Sequence, residues 1–234
     1  MTADRPPVLA HQRFVANREN FAGLDLAARF ERIVDTNLWG APTSVSGLGS
    51  EDLATAAIRE ALPLLLARLG ARVLCDAPCG DAGWIGGCKL DVDYLGIDIV
   101  PALIAANNRR VAQGELTGCF VTGDITRDEL PCADLVLCRD CLVHLSFANI
   151  IRAVARFRAS GAQWLLTTTF PEWEANADCE DGDWRALNFE RPPFNWPAPR
   201  ELINERCDEG EGGWRDKSLG LWLLGDLPEP MPAS

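Results

Sequence analysis

The sequence is poor in tyrosine, histidine and positive charge. Its 234 residues include one tyrosine, Tyr94, and two histidines, His11 and His144. Chemistry that requires either residue type therefore has very few candidates. Lys plus Arg total 22 against 34 Asp plus Glu, which gives a formal net charge of −12. Because such a surface repels phosphate backbones, and Arg109-Arg110 is the only adjacent basic pair, the sequence predicts no nucleic-acid partner.

Long apolar runs and an export signal are also missing. No run approaches 18 apolar residues, so no membrane-spanning helix and no membrane partner are predicted. The first ten residues contain Asp4, Arg5 and two prolines, but no apolar core of the kind that signal peptides have. Nine cysteines without such a signal predict reduced thiols and a cytoplasmic location. Cys138 and Cys141 form a CxxC pair, but no second pair follows at suitable spacing, so no metal site is predicted.

What the sequence does contain is an alternation of short apolar runs and helical stretches from Arg72 onward. These runs are continuously apolar, which is typical of strands that are covered on both faces. The alternation predicts an α/β fold with a doubly wound, mostly parallel sheet. The predicted strands are 72–76, 93–98, 119–124, 133–138, 163–169, 202–205 and 219–224, and the predicted helices are 24–38, 50–69, 101–113 and 146–159.

The chain divides into an N-terminal extension and a main domain. We predict that residues 1–70 form a helical extension or lid, in which Pro63 kinks or restarts the second helix. Residues 71–234 are predicted to form the main domain. Within it, residues 170–200 are rich in Trp and Pro and show no clear period.

Acidic residues follow three of the predicted strands. Asp76 begins a turn whose glycine, Gly80, permits a ligand to come close to the backbone. Asp98 ends the second strand and is placed to accept hydrogen bonds from ribose hydroxyls, and Asp124 follows the third strand. Taken singly, these residues also suit a plain turn, a helix cap and an Asx turn. Taken together, they predict a ligand site at the carboxyl ends of the parallel strands.

These segments resemble the class I S-adenosylmethionine-dependent methyltransferases over about residues 72–224. The resemblance rests on Asp76-x-x-Cys79-Gly80, Asp98, Asp124 and the segment 137–145. Trp39-Gly40 and the segments 44–50 and 76–81 are similar to a bacterial subgroup of that superfamily. The resemblance implies a Rossmann-like, seven-stranded sheet whose last strand, over 219–224, runs antiparallel. One departure is Pro78, which stands where a glycine is usual and has no N–H to donate.

The resemblance also implies S-adenosyl-L-methionine (SAM) as cofactor and S-adenosyl-L-homocysteine (SAH) as product. It implies that the turn 76–81 holds the methionine part, Asp98 the ribose, and Asp124 with Ile125 the adenine. The backbone of Arg139 would lie near the methionine amine. Apart from the resemblance, Trp39-Gly40 and the segment 46–50 are expected to close over the cofactor as a lid with glycine hinges, with a plain helix–helix connection as the alternative. The implied cofactor-binding residues are Trp39, Gly40, Ser46, Gly47, Ser50, Asp76, Pro78, Cys79, Gly80, Asp81, Asp98, Ile99, Asp124, Ile125 and Arg139.

Methyl transfer depends mainly on positioning, and a base helps when the acceptor is a hydroxyl or an ammonium. His144 follows the fourth strand and is the first candidate for a catalytic base, with Asp140 as the second. Packing or helix capping is the alternative for each. His11 is set aside because its N-terminal stretch is expected to be mobile. Residues 170–200 are expected to form a substrate-binding insertion or, alternatively, to pack on the core; the candidate substrate-binding residues are Trp184, Arg185 and Asn188.

We therefore expect a SAM-dependent methyltransferase that methylates an oxygen or nitrogen of a small molecule such as a sugar, an amine or a natural product. One alternative is a catalytically inactive SAM-fold binding module, although Asp98 and Asp124 are both present. A second alternative is a nicotinamide-dependent oxidoreductase. Against it, residues 77–82 lack the G-x-G-x-x-G fingerprint, and Tyr94 is not followed by a lysine four residues later.

Overall fold

Seven strands form one mixed sheet in the computed structural model, which describes residues 5–229. The strands are β1 (Val73–Asp76), β2 (Asp93–Asp98), β3 (Cys119–Thr122), β4 (Leu135–Cys138), β5 (Trp164–Thr169), β6 (Glu201–Asn204) and β7 (Ser218–Leu223). Their order across the sheet is β3-β2-β1-β4-β5-β7-β6. Strands β1 to β5 pair in parallel, and β7 runs antiparallel to both β5 and β6. The prediction of a mostly parallel, Rossmann-like sheet with an antiparallel last strand is confirmed.

Helices precede the sheet and connect its strands. They are α1 (Leu9–Ala16), α2 (Leu26–Asp35), α3 (Asp52–Leu69), α4 (Pro101–Ala112), α5 (Phe147–Ala159) and a single turn, α6 (Glu209–Gly212). Short 3-10 turns lie at Arg18–Phe21, Leu48–Ser50, Ile85–Gly87, Leu142–His144 and Leu224–Asp226. Two side chains cap helices: Asp25 accepts from the backbone N–H of Ala28 at 2.9 Å, and Ser146 accepts from that of Asn149 at 3.4 Å. None of the described helices is long and apolar enough to cross a membrane.

Two features of the N-terminal region differ from the sequence prediction. Helix α3 continues across Pro63 as one helix, so the predicted restart is wrong, while the alternative, a kink at Pro63, stays a prediction. The stretch around His11, which was expected to be mobile, forms helix α1 instead, and His11 Nδ1 lies 2.8 Å from Asp183 Oδ1. A small core of its own, made of Phe14, Phe21, Ile33 and Leu38, holds the first helices together.

The central strands β1, β4, β5 and β7 are buried on both faces, as their continuously apolar sequences predict. The edge strands β3 and β6 are largely exposed, so the prediction of cover on both faces is wrong for β3. Successive residues of a strand point to opposite faces. Cys75, Val136 and Leu165 therefore join the core on one side, where α5 packs. Their neighbours along the strands join the core on the other side, where α3 and α4 pack, and they include Leu74, Leu135, Leu137 and Leu166. This double cover leaves the carboxyl ends of the strands as the open edge at which loops build a site.

Candidate active site

A cavity of about 900 Å³, counting its open mouth, lies at the carboxyl ends of the parallel strands. The residues that end or follow β1, β2, β3 and β4 supply acids and a base to one wall, and the N-terminal region supplies the facing wall. Most of the residues predicted to bind a cofactor line it, namely Trp39, Ser46, Ser50, Asp76, Pro78, Cys79, Gly80, Asp98, Ile99, Asp124, Ile125 and Arg139. We refer to it as the strand-end cavity.

Three other residues of that predicted set lie elsewhere. Gly47 lines an adjoining cavity instead. Gly40 lines neither cavity and has a positive φ of 69°, and the space beside its Cα is filled by the guanidinium of Arg13. Asp81 also lines neither cavity, since its carboxylate accepts from Ser44 Oγ at 2.7 Å and from the N–H of Gly83 at 3.0 Å. Gly40 and Asp81 thus shape the loops around the strand-end cavity.

The turn after β1 is locked to the end of β2 through Asp98. The backbone N–H of Gly80 donates to Asp98 Oδ2, and that of Val100 donates to Oδ1, both at 2.9 Å. Burial raises the pKa of Asp98 to about 6, although these two hydrogen bonds oppose the rise. Gly80 has a φ of +55°, and a Cβ there would overlap the side chain of Ser46. Each carboxylate oxygen keeps lone pairs with which it can accept further hydrogen bonds from ligand hydroxyls.

Asp76 and the single tyrosine form a buried pair beneath this turn. Tyr94 donates its hydroxyl hydrogen to Asp76 Oδ2 at 2.6 Å. Burial raises the pKa of Asp76 to about 7, while the hydrogen bond from Tyr94 and the charge of Arg139 act in the opposite direction. Tyr94 is thus committed to holding Asp76, and it does not line the strand-end cavity.

Asp124 combines two roles that the sequence left open. Its Oδ1 accepts from the backbone N–H of Thr126 at 2.8 Å and from the Thr126 hydroxyl at 2.6 Å, which is an Asx turn. Asp124 and Ile125 also line the strand-end cavity. The turn therefore fixes the backbone here without removing Asp124 from the cavity wall.

The loop over 44–50 is tied to the sheet by hydrogen bonds from both sides. Ser46 Oγ accepts from the backbone N–H of Asp81 at 3.1 Å. Arg139 Nη2 donates to the carbonyl oxygen of Gly49 at 2.7 Å. The loop consequently lies across the carboxyl ends of β1 and β4 and lines both the strand-end cavity and the adjoining one.

His144 is buried at the boundary between the two cavities and lines both. Its Nδ1 lies 2.7 Å from the carbonyl oxygen of Asp183. Because a carbonyl can only accept, Nδ1 carries the hydrogen and Nε2 of the neutral ring keeps its lone pair. Burial lowers the pKa of His144 to about 4, so the imidazole is neutral near pH 7. Trp39 stacks on it with ring centroids 4.6 Å apart.

Four charged side chains, which we call the charge quartet, lie beside His144: Arg139, Asp140, Glu205 and Lys217. Lys217 Nζ is 2.7 Å from Asp140 Oδ2, and Arg139 Nε is 2.6 Å from Glu205 Oε1. Lys217 Nζ also forms an ion pair with Glu205 Oε2 at 3.4 Å, although this oxygen accepts no hydrogen bond from the described residues. Burial by itself would raise the pKa of Asp140, but the neighbouring charges of Lys217 and Arg139 hold that pKa well below its usual range.

The adjoining cavity, of about 540 Å³ counting its mouth, opens on the other side of His144. We refer to it as the aromatic cavity. Its lining residues are Val8, Ala10, Trp39, Ser46, Gly47, Leu48, Gly49, Asp140, His144, Phe170, Trp184, Cys207, Glu209, Trp214 and Lys217. Trp39, Ser46, Asp140 and His144 line both cavities and form a shared wall.

The three predicted substrate-binding residues separate in the structure. Trp184 lines the aromatic cavity. Arg185 and Asn188 line neither cavity, because their polar groups bind backbone carbonyls. Arg185 donates to the carbonyl oxygens of Leu142 and Leu145, and Asn188 donates to two carbonyl oxygens in the segment 171–173. Arg185 therefore ties the segment 170–200 to the turn around Leu142–His144, and Asn188 fixes the fold of the segment itself.

Sequence reasoning missed the contribution of the β6–β7 connection to the aromatic cavity. Glu209, Trp214 and Lys217 all come from this connection, and Val8 comes from just before α1. The one available signal was Trp214, a large aromatic residue within a polar, glycine-rich stretch. Between residues 5 and 229, no group of three or more His, Cys, Asp or Glu side chains is arranged to hold a metal ion.

No family model and no curated protein matches the chain, but solved structures do. The N-methyltransferase NodS from Bradyrhizobium japonicum WM9, in complex with SAH, is similar with a TM-score of 0.49 and 14% identity, covering 63% of this chain and 74% of its own. The glycopeptide N-methyltransferase MtfA, complexed with sinefungin, is similar with a TM-score of 0.40 and 18% identity, and the match covers 51% of this chain and 54% of MtfA. The PH0226 protein from Pyrococcus horikoshii OT3 is similar with a TM-score of 0.41 and 20% identity. The match covers 51% of this chain, which spans 61% of the length of PH0226.

Proposed function

We propose that the chain is a SAM-dependent methyltransferase that transfers a methyl group to an oxygen or nitrogen of a small molecule. One observation carries the proposal: the strand-end cavity and the aromatic cavity share a wall that contains His144. Group transfer between two ligands requires adjoining sites whose ligands meet. A binding module would need only one of them. The aromatic cavity, at about 540 Å³, is of a size that suits a small molecule.

The strand-end cavity suits the cofactor through the chemistry of its lining. Asp98 accepts hydrogen bonds from the ribose hydroxyls, Asp124 and Ile125 contact the adenine, and the turn 76–81 approaches the methionine part. When bound, SAM supplies a methyl group that its sulfonium already makes electrophilic. In this proposal residues 71–234 form the catalytic domain, and residues 1–70 form an extension whose loop over 44–50 acts as a lid. The hydrogen bond from Arg139 to Gly49 is consistent with this loop closing over the strand ends.

His144 acts on the acceptor in this scheme. Its Nε2 lone pair accepts the hydrogen of an acceptor hydroxyl or amine, and the Asp183 carbonyl and the Trp39 ring hold the imidazole in orientation. Asp140 remains the second candidate, but its ion pair with Lys217 keeps it ionised and engaged. We also propose a cytoplasmic location, which is supported by the nine cysteines, all of them free thiols.

Calorimetry with SAH tests the cofactor site. We expect the wild type to bind and Asp98→Ala to bind about tenfold more weakly or worse, because hydrogen bonds to a charged group are lost. Asp98→Asn, which keeps one acceptor oxygen, addresses any loss of folding. Asp93→Asn is the matched control, since Asp93 is exposed at the opposite end of the same strand. No SAH binding by the wild type would overturn the proposal, and equal binding by Asp98→Ala would overturn the ribose assignment.

Transfer from labelled SAM to a panel of sugars, amines and phenols separates an enzyme from an inactive module. We expect acceptor-dependent labelling that His144→Ala abolishes while SAH binding is kept. His11→Ala is the control, because the other histidine lines neither cavity and contacts Asp183 through its side chain. Unchanged transfer by His144→Ala would exclude the base role, and SAH binding without transfer to any acceptor would favour the module.

A further inference from the structure

One end of the aromatic cavity is lined by rings that meet edge to face. Phe170, Trp184 and Trp214, which we call the aromatic wall, lie within 5.8 Å of one another between ring centroids, at interplanar angles of 78–85°. None of the three lines the strand-end cavity. The faces of such rings carry negative electrostatic potential and attract cations. The Trp214 ring already makes such a cation–π contact within the chain, since the Arg5 guanidinium lies 5.1 Å from its centroid.

The charges around this cavity do not balance within the described chain. The charge quartet pairs its own two carboxylates with its own two cations. Glu209 also lines the aromatic cavity, and its carboxylate makes no ion pair or hydrogen bond with any residue between Arg5 and Glu229. Burial raises the pKa of Glu209, and Lys217 only partly opposes this. A partly buried carboxylate that no cation contacts directly is stabilised when a ligand brings a positive charge against it.

The one Lys or Arg that lines the aromatic cavity is already engaged elsewhere. Lys217 lines the same cavity, but its ammonium is bonded to Asp140 and its side chain is only 8% exposed. Arg5 is paired with Asp216. His144 is neutral because burial lowers its pKa to about 4. A phosphate or carboxylate in the aromatic cavity would face Asp140 and Glu209 together, so an anionic acceptor is disfavoured.

We propose that Glu209 and the aromatic wall bind a protonated amino group of the methyl acceptor. This inference rests on the proposed function and narrows its acceptor to small amines. An ammonium nitrogen has no lone pair with which to attack a methyl group, so the bound ammonium positions the molecule rather than reacting. The reacting atom is then a second oxygen or nitrogen that lies at the shared wall beside His144. The substrate class is accordingly a small amino alcohol, diamine or amino sugar.

A matched pair of probes tests the inference: 4-amino-1-butanol, which is cationic at neutral pH, and 1,4-butanediol, which is similar in size and neutral. Their binding is measured by calorimetry with saturating SAH and again without it. We expect the wild type to bind the amino alcohol about tenfold tighter than the diol. Glu209→Gln should remove that preference. Glu211→Gln should keep it, because Glu211 lies in the same turn but is exposed and lines neither cavity.

A second variant covers the case in which Glu209→Gln does not fold, which thermal melting reports. Trp184→Leu keeps every charge but removes a ring, and we expect it to weaken binding of the amino alcohol about three- to thirtyfold and to leave the diol nearly unaffected. Equal binding of both probes by the wild type, or a preference that survives Glu209→Gln, would overturn the inference. Failure of SAH to bind in the same samples would instead count against the proposed function.

Discussion

Neutralising Glu205 is expected to destabilise the protein strongly, because Glu205 balances two buried cations. Its Oε1 lies 2.6 Å from Arg139 Nε, and its Oε2 lies 3.4 Å from Lys217 Nζ. The side chains of Glu205 and Arg139 are 1% and 4% exposed. Glu205→Gln preserves the shape of the side chain but leaves Asp140 as the one carboxylate of the charge quartet beside Arg139 and Lys217. The buried group then carries a net charge of +1 that little water can screen.

The expected loss follows from this burial. Removing one partner of a buried ion pair costs about 3–5 kcal/mol of unfolding free energy. At about 2–4 °C per kcal/mol for a chain of this size, the melting temperature falls by about 6–20 °C. The matched control is Glu201→Gln, on the neighbouring strand β6, whose partner Arg68 is 56% exposed. An exposed pair of that kind is worth less than about 1 kcal/mol.

Urea unfolding of Glu205→Gln and Glu201→Gln measures both values, and Lys217→Met is measured alone as the second single variant of the next comparison. A double variant, Glu205→Gln with Lys217→Met, tests the charge balance itself, because it leaves Arg139 facing Asp140 as a neutral pair. We expect its loss to be smaller than the sum of the two single losses by about 0.5–3 kcal/mol. A Glu205→Gln loss no larger than that of Glu201→Gln, or losses that simply add, would refute the reasoning.

Two further predictions concern the buried acid of β1 and the loop over 44–50. The pKa of Asp76 in the folded state is about 7, above its usual value, so between pH 4 and 7 the folded state holds a proton that the unfolded chain has lost. As the pH rises across that range, the unfolding free energy of the wild type relative to Asp76→Asn should fall by on the order of 4 kcal/mol. A difference that stays constant with pH in urea titrations would contradict this. A Cβ at Gly49 would overlap Asp140 Oδ2, so Gly49→Ala should lower the unfolding free energy, followed by thermal melting, by about 1–3 kcal/mol. The control Gly225→Ala, whose Cβ would meet open space, should change it by less than about 0.5 kcal/mol. Equal effects of the two variants would contradict the packing argument.

The sheet and the acids at its edge could be predicted because the information is local. Asp76 and Asp98 each end a continuously apolar strand, and Asp124 follows one within two residues. Parallel strands necessarily bring their carboxyl ends to one edge. Strand β7 was recognisable for the same reason, as a buried apolar run near the end of the chain, although its bounds are one residue earlier than predicted.

The aromatic cavity could not be predicted in the same way, because long connections build it. Trp184 and Arg185 are adjacent in sequence, yet Trp184 lines the cavity while Arg185 binds backbone carbonyls behind it. Without regular secondary structure in this segment, no period indicates which side chain points inward. Glu209 and Trp214 enter the site only because the β6–β7 connection crosses the carboxyl edge of the sheet. That path depends on packing between parts of the chain more than 100 residues apart.

The aromatic cavity has a consequence for the order in which the chain folds. Val8 comes from the earliest described stretch, whereas Trp214 and Lys217 come from the β6–β7 connection, near the end of the described residues. Trp214 Nε1 donates to the carbonyl oxygen of Pro6 at 3.0 Å, across 208 positions of sequence. Contacts this distant close the largest loop of chain and so form late. We therefore expect β1 to β5 to pair before Pro6 and Val8 contact the β6–β7 connection. The aromatic cavity is then completed only after the strand ends that line the strand-end cavity have formed.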